Sequence, residues 1–270
     1  MIRLRQQRKY RNFAAFTDKP TNNTMDYSAL ARSYNTLSYP NQLRDLVAAF
    51  FRTDRYDNLG KYELAKTINN AILKHYEGEQ IFKYRLAKEF KNKNYVAAFE
   101  VKAKSSRTDF LVINGDTKSF EVKSKIDTLN RLGKQVGDYG NVFEYNTVVI
   151  DKIHLNNVIQ IIPEYYGIWY FEGAKKIVCR EPRYSPGINP KEQLGLFNKK
   201  ELLKSFGGAD RAEILASYNS AEINKALKTT LKGRYFDRWN FVQNNWNKIL
   251  PIDLQFFFNT NVNPEIIYGL

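Results

Sequence analysis

The chain has 270 residues, enough to bury a large core, and its 43% hydrophobic content with 18 Tyr and 18 Phe excludes a disordered polymer. Lys and Arg outnumber Asp and Glu by 42 to 28, and the formal charge of +14 favours a polyanionic partner, nucleic acid ahead of a membrane surface. Cys179, His75 and His154 are the only residues of their kinds, which excludes a disulfide framework and a Cys/His zinc site within one chain. The reducing cytoplasm is therefore the expected compartment, and any metal is expected to be a hard cation held by carboxylates.

In chain order, residues 1–45 read as a basic arm with one short helix. Arg3, Arg5, Arg8, Lys9 and Arg11 precede no apolar run, so no secretory signal is expected. Leu64, Ala65, Ile68, Ala71, Ile72 and His75 recur at helical spacing and predict an amphipathic helix over 59–75, with a further helical piece at 86–90. Short runs rich in Val, Ile and Phe at 95–101, 108–113, 118–123 and 146–150 predict strands. Between the third and fourth of these, Leu129, Leu132, Val136 and Tyr139 share a helical stripe within 127–143, and Asp127 or Thr128 is positioned to cap it. A hairpin over 166–172 and 175–180 follows, then a Pro- and Gly-bearing linker at 183–190. Helices are expected over 199–206, 209–218 and 220–232, with Ser220 as a cap. The predicted fold class is α/β, an αβββαβ core with a mixed sheet over 46–185 and a helical C-terminal subdomain over 186–270.

The chemistry concentrates in one segment. Asn114-Gly115 supplies hairpin turn chemistry between the second and third strands. A three-residue loop over 114–116 places Ile113 opposite Thr117, and therefore Asp109 opposite Glu121. Residues two apart in a strand point the same way, so Lys123 joins Glu121 while Phe110, Val112, Phe120 and Val122 form the apolar face. Burying two acids and a lysine together is costly without a counter-ion, and a bound cation removes that cost. Carboxylates that hold Mg²⁺ against a phosphate, beside an ammonium that positions water, suit phosphodiester hydrolysis. The competing structural reading is an exposed hairpin with a weak Glu-Lys pair.

Three motifs occur in succession: Ser106-Arg107-Thr108-Asp109, then Glu121-Val122-Lys123-Ser124, then Asp127-Thr128-Leu129 through Arg131-Leu132 to Gln135 and Tyr139. In this the sequence resembles the PD-(D/E)XK nuclease superfamily, over roughly residues 59 to 151, and within it a set of small bacterial and phage-encoded proteins. The resemblance implies a restriction-endonuclease-like core, with Asp109 and Glu121 as ligands of Mg²⁺ or Mn²⁺, the Val122 carbonyl as a third, and Lys123 as the residue that orients water. It further implies that Gln135 and Tyr139, four apart on one helix, meet the phosphate backbone or brace Lys123. The other reading of this pair makes Tyr139 core and Gln135 surface. Relatives often add an acid from the first core helix. Glu63 is the candidate here, at a helix edge that suits a cleft ligand and a solvated glutamate equally, with Glu89 and Glu100 as weaker alternatives. Thr108 stands where the superfamily usually has Pro.

Lys102, Lys104, Arg107, Lys125, Arg131 and Lys134 lie near this segment in sequence and are expected to meet nucleic acid, DNA ahead of RNA. Farther on, Lys225, Lys228, Lys232, Arg234 and Arg238 alternate with Tyr235, Phe236 and Trp239. That pattern fits phosphate contact and stacking, or a solvated helix whose apolar side packs on the core. The expected function is a metal-dependent nuclease, in phage-host conflict or DNA processing. The alternatives are a catalytically silent nucleic-acid-binding module and an interaction subunit, a homo-oligomer or a protein partner being compatible with each. No G-x-x-x-x-G-K-[ST] loop is present, so ATP-driven translocation is not encoded here.

Overall fold

The centre of the structure is the run of alternating residues from 96 to 123. In the computed structural model, which describes residues 25–52, 56, 58–91 and 94–270, this run forms β1 (Val96–Ala103), β2 (Ser106–Ile113) and β3 (Thr117–Lys123). The Arg- and Lys-bearing start of the expected arm lies outside the described residues. Strands β1, β2 and β3 pair antiparallel, and Phe110↔Phe120 through Ile113↔Thr117 reproduce the register expected from the 114–116 loop. Gly115 has φ 103°, open to glycine and strained for a side chain.

A short crossover helix, α5 (Leu132–Gly140), returns the chain to β4 (Tyr145–Ile150), which pairs parallel with β3. Hairpin β5 (Gly167–Glu172) and β6 (Lys175–Arg180) extends the same sheet, parallel at β4–β5 and antiparallel at β5–β6. The order is β1-β2-β3-β4-β5-β6, a mixed six-stranded sheet within an α/β fold. Among the described residues four helices precede it: α1 (Tyr27–Ser33), α2 (Pro40–Phe51), α3 (Lys61–His75) and α4 (Glu79–Phe90). After β4 comes α6 (Leu155–Ile161), and after β6 come α7 (Pro190–Leu194), α8 (Lys199–Phe206), α9 (Arg211–Ser217), α10 (Ser220–Asn244), α11 (Leu254–Thr260) and α12 (Pro264–Tyr268).

Both faces of the sheet are covered, which is why β3 and β4 are buried along nearly their whole length. On one face Phe99, Phe110, Phe120 and Trp169 form an aromatic file, with ring centroids 5.1, 6.2 and 5.1 Å apart in succession. Phe90 of α4, Trp239 of α10 and Phe258 of α11 pack onto it. On the other face Leu132 and Val136 of α5 join Val148, Ile150, Val158 and Ile168 in a smaller cluster.

Several sequence expectations are corrected. The helix preceding the strands is α4, which begins at Glu79 rather than at Leu86. It is α4, not α3, that packs on β2 and β3. Helix α5 starts at Leu132, because Asp127 is used elsewhere: it accepts from the amide and hydroxyl of Ser124 at 2.7 and 2.5 Å and closes the turn after β3. Helix α10 is capped by Asn219 rather than Ser220, and it runs past Lys232 to Asn244 because Trp239 and Val242 are buried. Divisions at 45 and at 185–186 both cut through one core, since Leu30, Leu43 and Val47 on one side, and Leu227, Trp239 and Phe257 on the other, share it with the sheet. Asp253 ties the two ends together, accepting from Tyr34, Thr36 and Tyr268 at 2.9, 2.7 and 2.6 Å. No helix among the described residues is long and apolar enough to cross a membrane.

The shared core makes a prediction. Trp239→Ala is expected to destabilise the chain by about 3 to 5 kcal/mol while leaving one cooperative unfolding transition, followed by circular dichroism in denaturant. A separate transition for the C-terminal helices would count against a common core.

Candidate active site

Strands β2 and β3 part company at Asp109. Their ladder ends at Phe110↔Phe120, and beyond it the Val122 amide donates to Asp109 Oδ2 at 2.6 Å. The Thr108 hydroxyl donates to the Phe120 carbonyl at 2.9 Å and holds the fork. On the other flank, the β1–β2 pairing is interrupted at Glu100 and Asp109, between Phe99↔Phe110 and Val101↔Thr108. By register Asp109 thus stands between Glu100 of β1 and Glu121 of β3. Glu100 has φ 56°, a left-handed conformation that costs a side-chain-bearing residue about 1 to 2 kcal/mol.

Two polar groups meet at Asp109. On the α5 side, Glu121 is 3% exposed; its Oε1 accepts from Lys123 Nζ at 2.6 Å and Gln135 Nε2 at 2.5 Å. Its Oε2 lies 2.7 Å from the Tyr139 hydroxyl, which is also 2.7 Å from the Arg107 carbonyl. One hydroxyl proton faces two acceptors there, and a proton on Glu121 satisfies both. Burial pushes Glu121 above the ordinary carboxylate range, against the pull of Lys123, Tyr139 and Gln135. Asp109 is pushed up further, by burial first and by the Glu121 charge second, with Lys83 and the Val122 amide opposing. Burial and the Glu121 charge also raise Tyr139, which stays a neutral donor.

On the α4 side, Glu79, Glu100 and Asp109 each offer a carboxylate oxygen, all within 4.8 Å of one another. Lys83, one turn after Glu79 and almost fully buried, bonds to Glu79 and Glu100. It lies 3.5 Å from Asp109 Oδ1 and donates to Gln255 Oε1 of α11 at 3.2 Å. Burial works against the Lys83 charge, but Asp109, Glu79 and Glu100 together hold its pKa above the ordinary lysine value.

The structure brings together Asp109, Glu121, Lys123, Gln135 and Tyr139, with the last two bracing Glu121 rather than Lys123. Glu63 is corrected: it is exposed at the start of α3, outside the acidic group, and Glu79 of the next helix takes its place. Glu100 belongs to the group, whereas Glu89 pairs with Lys176 at 3.0 Å. Glu121 stands outside the acidic trio, and both of its oxygens are engaged by Lys123, Gln135 and Tyr139. A strand residue sends its N–H and C=O to the same side, so the Val122 carbonyl faces the fork as its amide does. Sequence reasoning missed Glu79, Lys83 and Gln255. The only available signal was Glu79-x-x-x-Lys83 after Gly78, an ordinary helical pair until the fold places it against Asp109.

The trio is a hard-oxygen donor set of the kind divalent Mg²⁺ and Mn²⁺ take. Four carboxyl groups, those of Glu79, Glu100, Asp109 and Glu121, face the two ammoniums of Lys83 and Lys123, an excess of two acids whose charge, once all four ionise, one divalent ion would balance. Gln135 Oε1, whose amide is oriented by Glu121, is buried without a partner beside them. The residues present fit such an ion.

Of the expected nucleic-acid residues, Lys102, Arg107, Lys125 and Arg131 are exposed. Two are corrected. Lys104 pairs with Glu192 at 3.4 Å, and Lys134 with Asp138 at 2.9 Å and with Ser105, so their charges are locally answered. Ser105 and Ser106 also donate to Asp138, and with Lys134 they hold it below the ordinary carboxylate range although burial opposes. This gives Ser106 a structural use, anchoring the start of β2 to α5. In the later basic run, Lys228 pairs with Glu144 and Arg234 with Glu201, and Trp239 is core, which is the packed-helix reading.

A family model described as Bacteriophage P4 protein cII matches residues 65–257. The chain belongs to that family. The matched span holds every residue of the site above and leaves Glu63 outside. Protein cII of Enterobacteria phage P4 is 29% identical over 146 residues, covering 48% of this chain, and the match spans about half of the relative's length, 55%. A protein of unknown function from Silicibacter pomeroyi is 15% identical over 42% of this chain and 76% of its own, with a TM-score of 0.32, a likeness too loose to bear on fold or function.

The raised pKa of Glu121 sets a direction. A carboxyl raised in the folded state contributes stability below its unfolded pKa that is lost as pH rises through its folded value. The stability of the wild type relative to Glu121→Gln is therefore expected to fall as pH rises above the ordinary carboxylate range in EDTA, read from denaturant midpoints. A rise instead would show that Lys123 and the two α5 donors outweigh burial.

Proposed function

We propose that this protein is a Mg²⁺- or Mn²⁺-dependent nuclease of the PD-(D/E)XK type that hydrolyses phosphodiester bonds in DNA. One observation carries the reading: Asp109 at an open strand fork, between Glu100 and Glu121 by register, with Glu79 converging on it, Lys123 bonded to Glu121, and two more acids than ammoniums in the group. The ordered motifs around Asp109, Glu121-Val122-Lys123 and Gln135/Tyr139 support it.

In this reading Asp109 holds the ion with Glu79 and Glu100, the Val122 carbonyl faces the same gap, and Glu121 orients Lys123. The ion, when bound, acidifies water and offsets charge on the scissile phosphate. Lys123 Nζ, fixed by Glu121, positions the attacking water and donates to it. Gln135 Oε1 is the free acceptor for that water's second hydrogen. Tyr139 and Gln135 keep the Glu121 carboxylate from turning away. Exposed Lys102, Arg107, Lys125 and Arg131 carry the phosphate backbone toward the fork. The task assigned in this reading is phage-host conflict or DNA processing, in the reducing cytoplasm, where the single Cys179 stays a thiol.

A second reading, a binding module without catalysis, has one observation in its favour: the Lys83 ammonium already stands among the three acids. Incubation with linear, circular and single-stranded DNA, and with RNA, in Mg²⁺, Mn²⁺ or EDTA separates the two. Metal-dependent cleavage is expected, reduced by a factor on the order of 10² or more in Asp109→Asn and in Lys123→Ala, with cutting of closed circles marking an endonuclease. Salt-sensitive binding without cleavage in any metal would favour the module.

A further inference from the structure

The proposed metal site contains a cation of the chain's own. Lys83 Nζ bonds to Glu79 and Glu100, lies 3.5 Å from Asp109 Oδ1, and its side chain is only 4% exposed. No other ammonium among the described residues lies within ion-pair distance of all three acids of the trio. Three carboxylates with oxygens within 4.8 Å repel one another strongly once partly removed from water, and a positive charge between them removes the repulsion. An ammonium and a divalent ion both answer that repulsion, and the seat among the oxygens is too small for both.

Lys83 also has somewhere to go. Its Nζ is 3.2 Å from Gln255 Oε1, and Lys83 and Gln255 line a small cavity of about 10 Å³ with Tyr84, Phe99 and Leu254. That is about the space one water needs. Gln255 belongs to α11, so the C-terminal helices supply the alternative acceptor.

We propose that the Lys83 ammonium is a built-in competitor for the divalent cation: in the metal-free protein it occupies the seat among Glu79, Glu100 and Asp109 with Gln255 as a further partner, and when the ion binds it gives up the three acids and keeps its bond to Gln255. The inference rests on the metal-site reading above. It makes ion binding an exchange of cations, so that affinity is set by the difference between the two occupants. It also gives the C-terminal helices a part in the site, since any change that moves α11 alters how readily Lys83 leaves.

The test is calorimetric titration of Mn²⁺ into the full-length chain without nucleic acid, with melting curves in EDTA and in Mn²⁺. Lys83→Met and Lys83→Gln are each expected to bind Mn²⁺ about tenfold more tightly than wild type. Both are expected to melt lower than wild type in EDTA and to gain more from Mn²⁺. Gln255→Leu, which keeps the competitor but removes its alternative acceptor, is expected to bind more weakly, and it carries the test even where the Lys83 variants fail to fold. Equal or weaker binding in the Lys83 variants, or unchanged binding in Gln255→Leu, would overturn the exchange. If Asp109→Asn still abolishes binding in that case, the metal site itself stands. Absence of any Asp109-dependent binding, in wild type and variants alike, would overturn both.

Discussion

The structure turns on one hydrogen bond, from the Val122 amide to the Asp109 carboxylate at 2.6 Å. At that point a side chain takes the place of a backbone acceptor in the β2–β3 ladder. The replacement satisfies the Val122 amide, as a buried sheet requires. It also separates the two strands and fixes an acid in the gap. Thr108 secures the same fork from inside, so the opening is part of the sheet and not an irregularity at its end.

Two helices then approach the fork from opposite faces. Helix α5 brings Gln135 and Tyr139 onto Glu121, one turn apart on the same helical face, and its own position is set by Asp138 gripping Ser105 and Ser106. Helix α4 is pressed onto the aromatic file by Phe90 and Phe82, and this packing carries Glu79 and Lys83 to the other side of Asp109. The acids are thus held by apolar packing that does not depend on their charge. A cluster that raises its own carboxyl pKa values destabilises the fold at neutral pH, and only a large core on both faces tolerates it. The family match begins at residue 65 and ends at 257, and so takes in both helices, the fork and Gln255.

The later basic stretch of α10 illustrates how composition misleads. Lys228 and Arg234 spend their charge on Glu144 and Glu201, and Asn224 and Lys228 together satisfy the buried Glu144 carboxylate that also caps Thr117 of β3. What reads as a nucleic-acid surface is in large part a brace between the C-terminal helices and the sheet. Lys102, Arg107, Lys125 and Arg131, near the fork in sequence, are exposed, as are Lys225, Lys232 and Arg238 of α10.

The sequence by itself determined whatever depends on near neighbours. Strand alternation and the Asn114-Gly115 turn were enough to set the β2–β3 register, and with it the facing of Asp109 and Glu121. The i, i+4 spacing was enough to put Gln135 and Tyr139 on one face. Contacts between residues far apart in the chain could not be read that way. Glu63 and Glu79 look alike as helical glutamates, and only the packing of α4 rather than α3 on the sheet chose between them. Glu100 joins the acids through a left-handed backbone that no local pattern announces. Lys83 meets Gln255 across 172 positions. Residues 25–45 and 186–270 were read as an arm and a subdomain, yet they share the core of the sheet. Apolar faces specify that something must cover them, and their shape in three dimensions decides which segment does.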